Sequence, residues 1–192
     1  MRIPACYACR SAFLLAVLLL ICISGATPTS ARAASSSFRV YLPLLTRAAR
    51  PSIEQQVIDL TNQRRQQHGC PALVLSSQLT TAASTHSQDM ALHDLFSHTG
   101  SNGSTLVSRV VATGYSYSVL AENLAAGPTT AEDVVAIWMN SPGHRVNILN
   151  CGLHELGVGY YVQLDDQSNV RLDNGQLGGP YRYYWTQDFG SQ

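Results

Sequence analysis

Three short segments interrupt the hydrophobic pattern of this chain in the same way: FSHTGSNG around His98, LAENLAAG around Glu122 and SPGHRVNIL around His144. Each sets one titratable residue at or near the end of an element, where loops present side chains to solvent or to a cleft. Two neutral imidazoles and a carboxylate can hold zinc with a fourth position open for water. The same groups can exchange protons without a metal. His98, Glu122 and His144 are therefore the candidate catalytic residues and also the candidate ligands of a divalent metal such as zinc. Both chemistries need the three groups within bonding distance, which separation along the chain does not fix. A purely structural network is the competing reading: Arg145 would pair with an acidic residue, Asn123 would satisfy loop backbone and the histidines would cap helix starts. Other chemistries are excluded. The HELG at His154 lacks the second histidine of a metalloprotease helix, with Val158 in that place, and there is neither a Gly-x-Ser-x-Gly elbow nor a glycine-rich phosphate loop.

The elements that must position these residues are legible in part. Ser52 can cap a helix through SIEQQVIDLTNQRRQQHG, with Gln55 returning the bond and Gly69 closing it. A second helix runs from about Gln78 to His93, with Leu79, Ala82, Ala83, His86 and Met90 on one stripe, so His86 faces the interior as a hydrogen-bonded core residue. A third runs from Ser104 to Gly114, and a fourth starts near Thr130 with Asp133 completing a capping box. Ser141-Pro142 then reads as a new helix start that places His144 in its first turn. LGVGYYVQL and YRYYWTQDFG alternate as strands around the turn-rich QSNVRLDNGQLGGP, which predicts an antiparallel hairpin with a long tip. Helices first and strands last give an α+β class.

Around this domain the chain carries further signals. Arg2 and Arg10, an apolar run from Ala12 to Ile23 and the Ala31-Arg32-Ala33 exit read as a signal peptide over 1–33, cleaved after Ala33. The apolar run is shorter than the roughly 20 residues of a membrane span, so no transmembrane segment is expected in the mature chain. Residues 34–50 read as a tether and 51–190 as the domain. Of the 192 residues 159 then remain, with nine arginines against twelve acidic residues, which excludes the basic field of a nucleic-acid binder. The mature chain keeps two of its five cysteines, Cys70 and Cys151, and in an oxidising compartment they are expected to pair.

The ordered segments HSQDMA, FSHTGSNG, GYSYSVLAENLAAG, IWMNSPGHRVNIL, GVGYY and YWTQDFG resemble the CAP superfamily of cysteine-rich secretory proteins, antigen 5 and pathogenesis-related proteins, in its bacterial SCP-domain branch. The resemblance covers roughly residues 51–190. It implies a three-layer α-β-α sandwich around an antiparallel sheet, with a polar cleft in which His98 and Glu122 match the family's histidine and glutamate. Ser141 and Tyr184 stand where animal and plant members carry a second glutamate and a second histidine. His144 resembles the bacterial branch's own cleft histidine and would face His98. The function implied is a secreted, envelope-associated or extracellular, monomeric binding module. Its ligand would be a lipid, a peptide or wall-derived material, held by the cleft or by the tyrosine-rich hairpin of Tyr160, Tyr161, Tyr181, Tyr183 and Tyr184. The alternative is a metal-dependent hydrolase acting on peptide or cell wall through His98, Glu122 and His144.

Overall fold

The computed structural model describes residues 50–192. The leader and tether therefore lie outside the described residues, apart from the exposed Arg50. Five helices follow in chain order: α1 (Ile53–Gln67), α2 (Ser77–Leu92), α3 (Leu106–Ala112), α4 (Ala131–Asn140) and α5 (Pro142–Ile148). Their starts follow local chemistry. Ser52 Oγ accepts the Gln55 N–H at 3.2 Å, but the Gln55 amide donates to Asp59 at 2.9 Å, so only half of the expected capping box forms. The reciprocal box appears instead at α3, between Thr105 and Ser108. At α5 the Ser141 side chain makes no capping bond, and the preset φ of Pro142 begins the helix without one.

Four strands, β1 (Val74–Leu75), β3 (Val119–Ala126), β4 (Glu155–Val162) and β7 (Tyr183–Ser191), form the main sheet in the order β1-β4-β7-β3. The β4–β7 and β7–β3 pairs are antiparallel and β1 joins β4 in parallel. The long tip of the β4–β7 hairpin is itself structured. It carries β5 (Val170–Leu172) and β6 (Leu177–Gly178), which form a small sheet with β2 (Leu95–Phe96).

The expected α+β sandwich is present. One face of the sheet carries α1, α4 and α5 over a core that includes Val57, Trp138, Ile148, Leu156, Trp185 and Phe189, all fully buried. The other face carries α2 and α3, joined to it through Leu79, Ala82, Val110 and Tyr115 and, further along, Met90, Leu124 and Tyr184. Each such large apolar side chain contributes roughly 1.5–3 kcal/mol on leaving water. On this second face helix and sheet approach very closely. A Cβ at Gly157 would overlap the α2 backbone at Leu79-Thr80, and one at Gly159 the backbone of Ala83.

Two features fix α5. The buried Arg65 of α1 donates to the carbonyls of Pro71, Ile148, Asn150 and Leu153 at 2.8–2.9 Å, collecting the chain that leaves α5. Beside it Cys70 and Cys151 form the expected disulfide, with Cα atoms 5.0 Å apart. The tyrosines of the last hairpin are mostly packing groups: Tyr184 is fully buried, Tyr161 and Tyr181 rest on its cluster, and Tyr160 lies 4.1 Å from Trp185, centroid to centroid.

Candidate functional site

Glu122 lies in the middle of β3 and not at the end of an element. The strand was missed because VLAENLAA does not alternate: with helices on both faces, Glu122 and Asn123 are both buried, on opposite sides of the sheet. Glu122 points to the α2/α3 side. In register beside it stands Asp188 of β7, and beyond Asp188 stands Gly157 of β4. Three basic side chains close over this carboxylate. Arg109 of α3 donates through Nη2 to Oε2 at 2.5 Å, and His98, in the loop after β2, sits with Nδ1 2.7 Å from Oε1. His86 of α2 has Nε2 at 4.0 Å from Oε2.

The hydrogen bonds assign the protons. His86 Nε2 is 2.9 Å from the Ser97 carbonyl, which can only accept, so Nε2 carries the hydrogen and the buried Nδ1 is bare. Burial lowers the pKa of His86 despite the opposing pull of Glu122, and the ring is neutral at pH 7. The sequence reading of His86 as a hydrogen-bonded core residue holds. His98 points Nδ1–H at Glu122 and leaves Nε2 facing outward on a side chain that is 56% exposed. The hydrogen bond to Glu122 raises its pKa, with burial opposing and the charges of Glu122 and Asp173 adding to the rise. Burial alone would raise Glu122; the bonds and charges of His98, Arg109 and His86 outweigh it and hold Glu122 below its ordinary value.

Arg109 also donates from Nη1 to the carbonyls of His98 and Ser104, at 3.2 and 3.1 Å. One guanidinium thus fixes both the carboxylate and the loop that carries its histidine. Asp188 is fully buried, and neither carboxyl oxygen has a hydrogen-bond partner in the described residues. Burial first, and then the charge of Glu122, push its pKa well above the ordinary carboxylate value, which favours its protonated form.

His144 reaches the same region from the far side of the sheet edge. Asn123 donates to its carbonyl at 3.1 Å, while Asn147 donates to the Glu122 carbonyl at 3.2 Å and to Asn123 Oδ1 at 2.9 Å, so α5 is laced to β3. The His144 ring bonds to neither His98 nor Glu122. Its pKa is lowered by burial and then by the nearby charge of His98, so the two imidazoles sense each other through space. Of the network alternatives, Asn123 does satisfy backbone, but among the described residues no histidine caps a helix start and the Arg145 side chain reaches only the Met139 carbonyl. Tyr184 lies away from the cleft, its hydroxyl donating to Asp166 at 2.9 Å.

The donor set fits a zinc ion poorly. Both oxygens of Glu122 are occupied, one by a guanidinium whose charge opposes a dication, and no group of three His, Cys, Asp or Glu side chains among the described residues is arranged to hold a metal. Arg109, Asp188 and Asn147 escaped the sequence reading. For Asp188 the available signal was register, since it shares the alternating face of Tyr184 and Thr186; no local signal marks Arg109.

The model of the cysteine-rich secretory protein family, CAP, matches residues 58–189, and the chain belongs to that family. The uncharacterized protein YkwD of Bacillus subtilis is 35% identical over 136 residues, which is 71% of this chain and 46% of that protein. The chain thus spans about half the length of this relative, and 33% of the uncharacterized membrane protein YlbC of the same organism, which is 34% identical over 57% of the chain. Among solved structures, an extracellular SCP-domain protein of Bacillus anthracis superposes with a TM-score of 0.59 at 30% identity, over 72% of this chain and 40% of that one. An outer surface protein of Borrelia burgdorferi shares the fold at a TM-score of 0.57 and 18% identity, over 72% of this chain and 91% of that one. No helix among the described residues is long and apolar enough to cross a membrane.

Proposed function

We propose that this protein is an exported binding module that holds a carboxylate-bearing ligand, a peptide or wall-derived fragment, at the outward face of His98. The observation that carries this reading is the occupancy of Glu122: with Arg109 on one oxygen and His98 on the other, the carboxylate orients an imidazole and is not a free base or metal ligand. What the site offers a ligand is His98 Nε2. Glu122 and Arg109 cancel in charge and His86 is neutral, so protonation of His98 leaves the cluster with a net positive charge beside His144. An anionic group gains from that charge. Export is supported by the leader-like N-terminus and by the extracellular relative of known structure.

The sign of the pH dependence follows. A raised His98 pKa means that the charged form persists to higher pH, so carboxylate binding is strong below that pKa and is lost as pH rises through it. The test follows the histidine ring protons by NMR while N-acetyl-trialanine is added, with its C-terminal amide as control. The carboxylate is expected to shift the His98 and His144 signals at acidic pH, to lose affinity on deprotonation and to be ignored by His98→Ala. An amide that binds equally well, or a variant that still binds, refutes the cleft assignment.

A further inference from the structure

Between α2 and α3 lies a groove of about 510 Å³, within the range of small-molecule sites. Its lining includes Thr81, Ala82 and Thr85 of α2, Ala112 and Thr113 at the end of α3, and Arg109, which forms the wall shared with the Glu122 cluster. The threonines are committed in a particular way. Thr81, Thr85 and Thr113 each donate their hydroxyl hydrogen to a carbonyl of their own helix, to Ser77, Thr81 and Val110, at 2.7–2.9 Å. Their remaining capacity is as acceptors, so these three positions favour a ligand that offers O–H or N–H donors. The methyl groups of Ala112 and of the threonines themselves suit the C–H surface of a saturated ring, and Asp89, Asn102, Ser104 and Ser108 complete a polar lining. No aromatic side chain lines the groove, so flat rings have no stacking platform. At the inner wall, Arg109 is 8% exposed and its Nε–H has no acceptor. A buried guanidinium N–H left unsatisfied is costly; this one is closed off from solvent, and an oxygen that parts the lining at this end of the groove would supply the missing partner.

We infer that the α2–α3 groove is a second binding site, for a short carbohydrate: a polyhydroxylated saturated ring whose hydroxyls donate to Thr81, Thr85 and Thr113 and whose acetamido carbonyl accepts from Arg109. The site is separate from the outward face of His98, and its occupancy does not depend on the carboxylate reading. Arg109 connects the two, because the same guanidinium fixes Glu122 and the His98 loop.

The test titrates ¹⁵N-labelled protein with tri-N-acetylchitotriose and, in parallel, cellotriose, which lacks the acetamido carbonyl. The acetamido sugar is expected to move the amide signals of Thr81, Thr85, Ala112 and Thr113 and the Arg109 Nε–H, and to do so equally in His98→Ala. Ala112→Leu, which fills the groove from an exposed position, is expected to weaken binding about tenfold or more. Thr85→Val, which keeps the shape and removes one acceptor, should weaken it measurably with the melting temperature unchanged. Signals that do not move, that cluster instead around His98 and vanish in His98→Ala, or that survive Ala112→Leu intact overturn the site. Equal binding of cellotriose overturns the role given to the carbonyl.

Discussion

The ion pair between Arg109 and Glu122 can be tested by a double-substitution cycle of Arg109→Met, Glu122→Gln and the two combined. The side chains are 6% and 3% exposed and meet at 2.5 Å, so each single change leaves its partner buried and uncompensated. Removing one member of such a pair costs about 3–5 kcal/mol, whereas replacing both can be nearly neutral. Arg109→Met has further effects, since the His98 and Ser104 carbonyls lose their donor, each at a cost of roughly 1–3 kcal/mol when desolvated. The arginine change is therefore expected to be the costlier single, and the double variant is expected to be less destabilised than the two singles added together by about 2 kcal/mol or more. Urea melts at pH 7 measure the free energies, with NMR of the His98 ring reporting the local geometry. The pH dependence has a fixed sign: the depressed Glu122 pKa contributes stability that is present above its unfolded value and lost as pH falls through the folded one. Singles that each cost under about 1 kcal/mol, the range of exposed pairs, would falsify the account of a buried pair organising the site.

Asp188→Asn keeps the shape of the buried side chain and removes its titration. Because the folded pKa is raised, the wild-type chain loses stability as pH rises through the unfolded value of about 3.9. The variant should thus gain stability at pH 7 and lose its advantage near pH 3; a loss in urea melts that is larger at pH 7 than near pH 3 shows Asp188 to be an ionised structural carboxylate. Reduction of Cys70–Cys151 releases a loop with a sequence separation of 81 and is expected to lower stability by about 4.5 kcal/mol in the chain-entropy model. Denaturant midpoints of reduced and oxidised protein give the difference, and equal midpoints contradict it.

The helices were legible because their apolar stripes and caps are local, as at Leu79, Ala82, Ala83 and Met90 of α2, and the β4–β7 hairpin was legible from its alternation. β3 was hidden because a strand covered on both faces has no polar side to mark it. Of the site, His98 and Glu122 came from their segments and from the family resemblance, and they are hydrogen-bonded to each other. The position of His144 in the first turn of α5 was read from Ser141-Pro142, but its ring touches neither partner. Arg109 could be recognised only in three dimensions, since its acceptors lie at 98, 104 and 122 and nothing local distinguishes it from a solvated arginine. Asp188 was hidden for a related reason: only the register with Glu122 and Gly157 makes an aspartate in an ordinary strand a buried neighbour of the site carboxylate.

The amide of Asn147, hydrogen-bonded to the Glu122 carbonyl, has a bearing on how the molecule behaves at high concentration. A border strand with open backbone acceptors is a template on which a second copy can extend the sheet. Here that border is plugged at its midpoint by a side chain from α5, while β1, the opposite border, is only two residues long. Neither margin offers a long run of free pairing groups, so the tie that braces the pocket also discourages sheet-to-sheet aggregation.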